Sequence, residues 1–206
     1  MIGAVVAVLV VAIVLVSVLT NGDGWAGRGQ PVAAPTVAGT PEPTWKPPNM
    51  FTHPDPLKQI RYELESRVLS SARVARKTGS TCDRSDFTGA AAATFTCTVT
   101  YDTLKVVYTV SAQPNGKNLF RYTATAPQVV VTREGLLAAV WARFGPSGTK
   151  WAELRCEEFP ALALVPVHKA LAQACYGKQP SQRLTSRIVI HPSDTAEPYL
   201  EVVLQK

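Results

Sequence analysis

The sequence predicts an α+β fold with antiparallel sheet, held outside a membrane by an N-terminal span, and three observations lead there. The chain opens on an almost uninterrupted apolar run, "MIGAVVAVLVVAIVLVSVLT". Further on, some segments repeat apolar residues at helical spacing, whereas others alternate apolar with polar residues as half-buried strands do. Four cysteines fall within that strand-rich part. A chain of 206 residues, 46% hydrophobic and 17% charged, can bury one or two modest cores.

Residues 1–20 read as a transmembrane anchor. The run is apolar from Ile2 to Leu19 apart from Ser17, and a helix of that length reaches roughly the 30 Å of the hydrocarbon layer. A cleaved signal peptide would need a basic run-in, a shorter apolar stretch and a small-x-small cleavage site, whereas no Lys or Arg precedes this run and "TNGDGWAG" offers a poor cleavage site. The rule that counts basic residues flanking a span is silent, since none precedes it and Arg28 and Lys46 are the first to follow. Topology therefore rests on the cysteines. The expected location is the cell membrane, single-pass, with the C-terminal part on the extracytoplasmic side.

Residues 21–56 read as a proline-rich linker, holding eight of the 16 prolines. Such chain favours extended polyproline II and could hold a domain tens of ångströms from the bilayer, at about 3.1 Å per residue. Trp45 and Phe51 interrupt it, either capping the folded part or lying along a partner.

Residues 57–131 are expected to form a first α+β module. Asp55 can cap and Pro56 start a helix in which Leu57, Ile60, Leu64 and Val68 share a face. In "TFTCTVTY" Phe95, Cys97, Val99 and Tyr101 point one way, and Thr94, Thr96, Thr98 and Thr100 the other. "KVVYTVSAQ" repeats the alternation, and Asn115-Gly116 supplies a hairpin turn into "NLFRYTATA".

Residues 132–206 are expected to form a second module. Thr132 can cap and Gly145 stop a helix whose apolar face is Leu136, Leu137, Val140, Trp141 and Phe144. A second helix is expected over "PVHKALAQACYG", with Pro166 near its start and Gly177 past its end. "RLTSRIVIH" and "EPYLEVVLQ" close the chain as strands. Both halves thus read as helix, cysteine pair and antiparallel strands, the pattern of a degenerate duplication with a helix inserted in the second copy.

Cys82 and Cys97 are 15 residues apart and Cys156 and Cys175 are 19 apart, so no Cys-x-x-Cys unit exists for zinc or redox chemistry. An even cysteine count outside a membrane reads as two disulfides with three possible connectivities, of which adjacent pairing is the expected one.

No catalytic apparatus is expected. Ser147 to Lys150 fits Ser-x-x-Lys, Lys77 to Gly79 reads Lys-Thr-Gly and Ser193 to Thr195 reads Ser-Asp-Thr, together mimicking penicillin-recognising serine enzymes. Their order is wrong for that class, Ser-Asp-Thr is not Ser-Asp-Asn, and the exported part is too short for the two-domain enzyme. His53, His168 and His191 are scattered with no pair at metal-ligand spacing, so no metal and no cofactor is expected. His168 with Glu157 or Glu158 is better explained as an exposed histidine on a helix. The net charge of +6 is partly concentrated in Arg67, Arg73, Arg76, Lys77 and Arg84, suited to lipid headgroups or an acidic partner surface, with acidic residues interleaved. Nucleic acid is not expected for an exported domain.

The run "STCDRSDFTGAAAATFTCTVTYD" followed by "VVYTVSAQPNGKNLFRYTATA" resembles an actinobacterial family of exported domains of unknown function, over roughly Leu64 to Ala126. That resemblance implies that Cys82 and Cys97 correspond to the family's paired cysteines, although the family's usual glycine before the second strand is missing. The tandem helix-plus-sheet plan is similar to a β-lactamase inhibitory protein. The layout of span, proline-rich linker and exported domain resembles accessory subunits of actinobacterial cytochrome bcc–aa3 supercomplexes.

The expected function is that of a non-catalytic accessory or assembly subunit of a larger envelope membrane complex. An integral membrane complex, cytochrome bcc–aa3 most specifically, is the expected partner, with the bilayer met through residues 2–19. Trp45, Phe51, Arg73, Arg76 and Lys77 are the candidate contacts. The alternative is a free-standing extracytoplasmic binding module for a cell-wall component, small ligand or enzyme, which would show a concave sheet with exposed aromatics.

Overall fold

A computed structural model describes residues 25–36, 40–47, 49, 55–116, 119–145, 151, 153–178, 185–194 and 197–205. The expected anchor of residues 1–20 lies outside them, as do Phe51, His53 and Ser147. Among the described residues no helix is long and apolar enough to cross a membrane.

Helix α1 (Pro56–Ala72) begins where Asp55 accepts a 2.9 Å hydrogen bond from the Lys58 amide, with proline in the first turn. It ends at Arg73, whose φ of 56° is left-handed and whose amide reaches the Leu69 carbonyl. Ile60, Leu64, Val68 and Leu69 are fully buried against one face of a four-stranded antiparallel sheet. That sheet is a simple meander of β2 (Thr78–Cys82), β3 (Ala93–Tyr101), β4 (Leu104–Pro114) and β5 (Phe120–Thr125). Phe95, Cys97, Val99 and Tyr101 point into the core as their alternation predicts.

Two strands, β6 (Gln128–Thr132) and β8 (Leu162–Pro166), form a separate antiparallel ribbon. The ribbon is a wall shared by two cores. Val130, Leu162 and Leu164 face the first, whereas Val129, Val131, Ala163 and Val165 face the second. The modules meet again where α2 (Arg133–Phe144) starts, because the Thr132 hydroxyl caps that helix at the Gly135 amide and donates to the Ala72 carbonyl ending α1. Gly135 lies so close to that carbonyl that a methyl group would sit 2.3 Å from its oxygen.

The second core lies between α2 with the ribbon and a five-stranded antiparallel sheet in the order β1-β7-β9-β10-β11. Its strands are β1 (Gln30–Pro31), β7 (Glu153–Cys156), β9 (Ala174–Lys178), β10 (Thr185–His191) and β11 (Tyr199–Gln205). Setting β1 and the ribbon strand β8 aside, each half runs helix, then four consecutive antiparallel strands, the first two joined by a cystine. Cys82 faces Cys97 across β2 and β3, and Cys156 faces Cys175 across β7 and β9. Adjacent pairing was the expected connectivity.

The helix expected over residues 166–176 does not form. Pro166 ends β8, His168 turns the chain with a φ of 59°, and Cys175 lies in β9. Long-range pairing explains the correction, since only a strand sets Cys175 opposite Cys156. Gly177 is correspondingly no helix stop: a methyl group there would lie 1.5 Å from Cε3 of Trp151, so its bare backbone makes room for that ring.

Part of the segment read as a proline-rich linker is folded onto the body as a strap. Val32 is buried, its amide bonds to the Leu154 carbonyl at 2.9 Å, and β1 extends the sheet at β7. Gly29, with a φ of 97°, lets the strap pass directly over the Cys156 carbonyl. Extended chain with no internal hydrogen bonds is well suited to adding an edge strand, so composition alone could not separate strap from linker.

Candidate docking face

The outer face of the β2–β5 sheet is open to solvent, because α1 covers only the other side. The alternation that buries Phe95, Cys97 and Val99 turns Thr94, Thr96 and Thr98 outward. Register sets neighbouring strands in rows. Thr96 lies opposite Thr109, which lies opposite Thr125; Thr94 lies opposite Ser111, which lies opposite Thr123; and Thr81 lies opposite Thr98, which lies opposite Val107. Rows repeat at about 4.8 Å across the sheet and about 7 Å along it. The result is a field of hydroxyl and methyl groups, neutral at its centre, with Lys105, Arg121 and Asp83 at its rim, the Asp83 carboxylate accepting from the Thr96 amide at 2.9 Å.

Such a face is cheap to cover. β-branched threonine is stiff at χ1, so little side-chain entropy is lost on docking, and each hydroxyl can donate or accept. No aromatic residue of these strands joins the face, since Phe120 and Tyr122 belong to the core side. The threonine alternation in β3 was visible in the sequence, but the lateral array was not, because it depends on the registers of four strands.

The expected contact residues fall elsewhere, and most have internal work. Half-buried Trp45 donates Nε1 to Glu65 at 3.0 Å and packs edge-on against Tyr62. Glu65 is 1% exposed and also accepts from Thr78 at 2.8 Å and Ser80 at 2.5 Å, so one buried carboxylate ties strap, helix and β2 together. Arg73 pairs with Glu197 of the second module at 3.5 Å and Arg76 with Asp102 at 2.9 Å. Lys77 is exposed, its carbonyl accepting from the Asp102 amide. The basic run at the end of α1 is thus largely offset by acidic neighbours.

On the second sheet, the outer face around Tyr176 is covered by the strap. Trp25 is buried there, bonded through Nε1 to Glu153 and flanked by Arg155 and Lys178, while Arg28 lies over the Tyr176 ring. Where the strap crosses, a groove of ≈ 570 Å³ opens beside Leu137, Phe159 and Arg133. Arg133 is engaged there by Glu158 at 3.0 Å and the Phe159 carbonyl at 2.9 Å.

The serine-enzyme motifs are not assembled among the described residues: Lys77 to Gly79 leads into β2, Ser193 follows β10 in the other module, and Ser147 is not described. His168 lies in a turn rather than on a helix, and His191 faces Glu201 at 3.1 Å. Among the described residues no group of three metal-ligating side chains converges. Burial pushes the Tyr108 hydroxyl up to about 12. Tyr122 is pushed up as well, by burial and by its bond to Glu63. Neither phenol is poised to give up a proton near neutrality.

No protein-family profile, curated protein or solved structure matches the chain.

Proposed function

We propose that this chain is a non-catalytic, membrane-anchored accessory subunit that docks on a larger envelope complex through the threonine face of its first sheet. One observation carries the reading: a four-stranded face left open to water yet lacking charge across its centre. Solvated sheet faces ordinarily gain solubility from charged residues, and a neutral, stiff, hydroxyl-bearing face is one that loses little on being covered. The anchor is residues 2–19, and the two cystines suit an extracytoplasmic location. From the layout, the specific partner is a respiratory cytochrome bcc–aa3 supercomplex.

The strap sharpens the geometry of this proposal. Between Leu19 and the seated Trp25 lie five residues, which extended span about 20 Å, so the strap-covered side of the second sheet lies against the bilayer. The domain therefore sits close to the membrane rather than at the end of a long tether. The matching order of helix, cystine-linked strand pair and two further strands in each half supports an internal duplication, with the β8 excursion inserted in the second copy.

The test is extraction of the tagged full chain from native membranes in mild detergent, alongside Thr109→Arg, which places a long cation at the centre of the face. Co-elution with a large haem-containing assembly, lost in the variant, supports the proposal; elution of the native chain alone removes it.

A further inference from the structure

The second sheet ends in an edge strand of unusual character. β11 pairs with β10 on one side, and among the described residues no strand pairs with its other side. Tyr199, Val202, Val203 and Leu204 are 64%, 42%, 41% and 65% exposed, four of the six exposed large hydrophobics among the described residues. A long apolar edge is a template for another strand, and soluble proteins usually blunt such edges with charge or proline.

We infer that β11 pairs antiparallel with β11 of a second copy, centred on Val202, to give a continuous sheet through two chains. The order of residues supports this register. It sets Val202 against Val202 and Leu200 against Leu204, with all of them on the core side of the sheet, so an apolar stripe continues from one copy into the next. On the other side it sets Glu201 against Val203 and brings no like charges face to face. A register centred on Glu201 would oppose the two carboxylates.

Charge also matches across the pair. Arg187 lies beside Val203 in the β10–β11 ladder, so each Arg187 shares a row with Glu201 of the second copy, with only the short Val203 between them. Two strand spacings of about 4.8 Å are within reach of an arginine and a glutamate extended toward each other.

Symmetry provides the third argument, which rests on the anchor reading. Antiparallel pairing of identical edge strands puts the twofold axis normal to the sheet, so both copies turn the same sheet face the same way. Trp25 is seated on the outer face with Glu153, Arg155 and Lys178. Two such straps would deliver both apolar N-terminal runs to one bilayer.

The experiment uses the full chain in mild detergent, with the protein mass in the detergent complex measured by light scattering after size exclusion. Native chain at micromolar concentration is expected at twice the chain mass and Val202→Lys at the single mass, with Val202→Thr retaining the dimer. Under mild oxidation Val202→Cys is expected to form a cross-linked dimer, whereas Thr98→Cys on the first sheet is not. A native single mass, a dimer that survives Val202→Lys, or cross-linking at residue 98 but not at 202 overturns the inference. Because it reads the isolated chain, the experiment leaves docking on a larger complex as a separate outcome, and flotation of the same protein with liposomes reports on the anchor independently.

Discussion

Replacing Gly177 by alanine is the sharpest test of the second module, because it separates a strand packed on a ring from a residue that ends a helix. The added methyl would lie 1.5 Å from Cε3 and 1.8 Å from Cζ3 of Trp151, where contact needs about 3.5–4 Å. The ring must therefore move by about 2 Å. It has little freedom to do so, being 7% exposed and stacked on Phe144 at 4.8 Å between centroids. Overpacking of this kind costs about 1–3 kcal/mol, and expelling the ring instead forfeits a similar burial energy. We expect a loss of about 2–3 kcal/mol, read from urea unfolding followed by circular dichroism at constant detergent. In a Trp151→Leu background the same substitution should cost less than about 1 kcal/mol, giving a clear coupling between the two sites. A cost below about 0.5 kcal/mol in the native background, or one unchanged when the indole is removed, would refute the packing argument.

Other consequences follow from the same structure. Trp45→Phe removes one donor from the buried Glu65 carboxylate and should cost about 1–2 kcal/mol while making the strap more sensitive to limited proteolysis, whereas equal cleavage rates would detach the strap from that hub. Replacing Cys82 and Cys97 together by serine should lower stability by about 3 kcal/mol through release of the loop they close, measured as a shift of the urea midpoint. Tyr108 ionises later in the folded state than in the unfolded one, so its contribution is complete below pH 10 and is lost as pH rises toward about 12. A Tyr108→Phe variant should flatten that alkaline loss, which a stability-against-pH series would show.

Much of the fold was legible because the signals were local. Asp55 with Pro56 marks the start of α1, Thr132 and Gly145 mark the two ends of α2, and strict alternation in β3 and β4 separates the core side from the open side. Residues 166–176 misled because Val167 and Leu171, four apart, both pack on the second core from a turn, and Ala174 and Cys175 then continue the spacing as the start of a strand. Nothing local distinguishes that from a helix. The deciding contacts, Cys175 to Cys156 and Gly177 to Trp151, span 19 and 26 residues.

The candidate site was legible only in part. Outward threonines in β3 could be read from the sequence, but their alignment with Thr109, Ser111, Thr123 and Thr125 follows from strand register. The sequence leaves Trp45 as a domain cap or a partner contact, and its bond to Glu65 and its packing on Tyr62 depend on residues 17 or more positions along the chain. The basic run at the end of α1 looked like a patch because its counter-charges, Asp102 and Glu197, lie far along the chain.

The central claim is that the threonine face binds a membrane partner, and its most direct test compares native chain with Thr109→Arg in mild-detergent extracts of native membranes. Thr109 is exposed, so the variant should fold and reach the membrane at native levels. The account predicts that native chain elutes within a large haem-containing assembly and that the variant elutes free of it. Native chain eluting free, or a variant that stays fully bound, would contradict it.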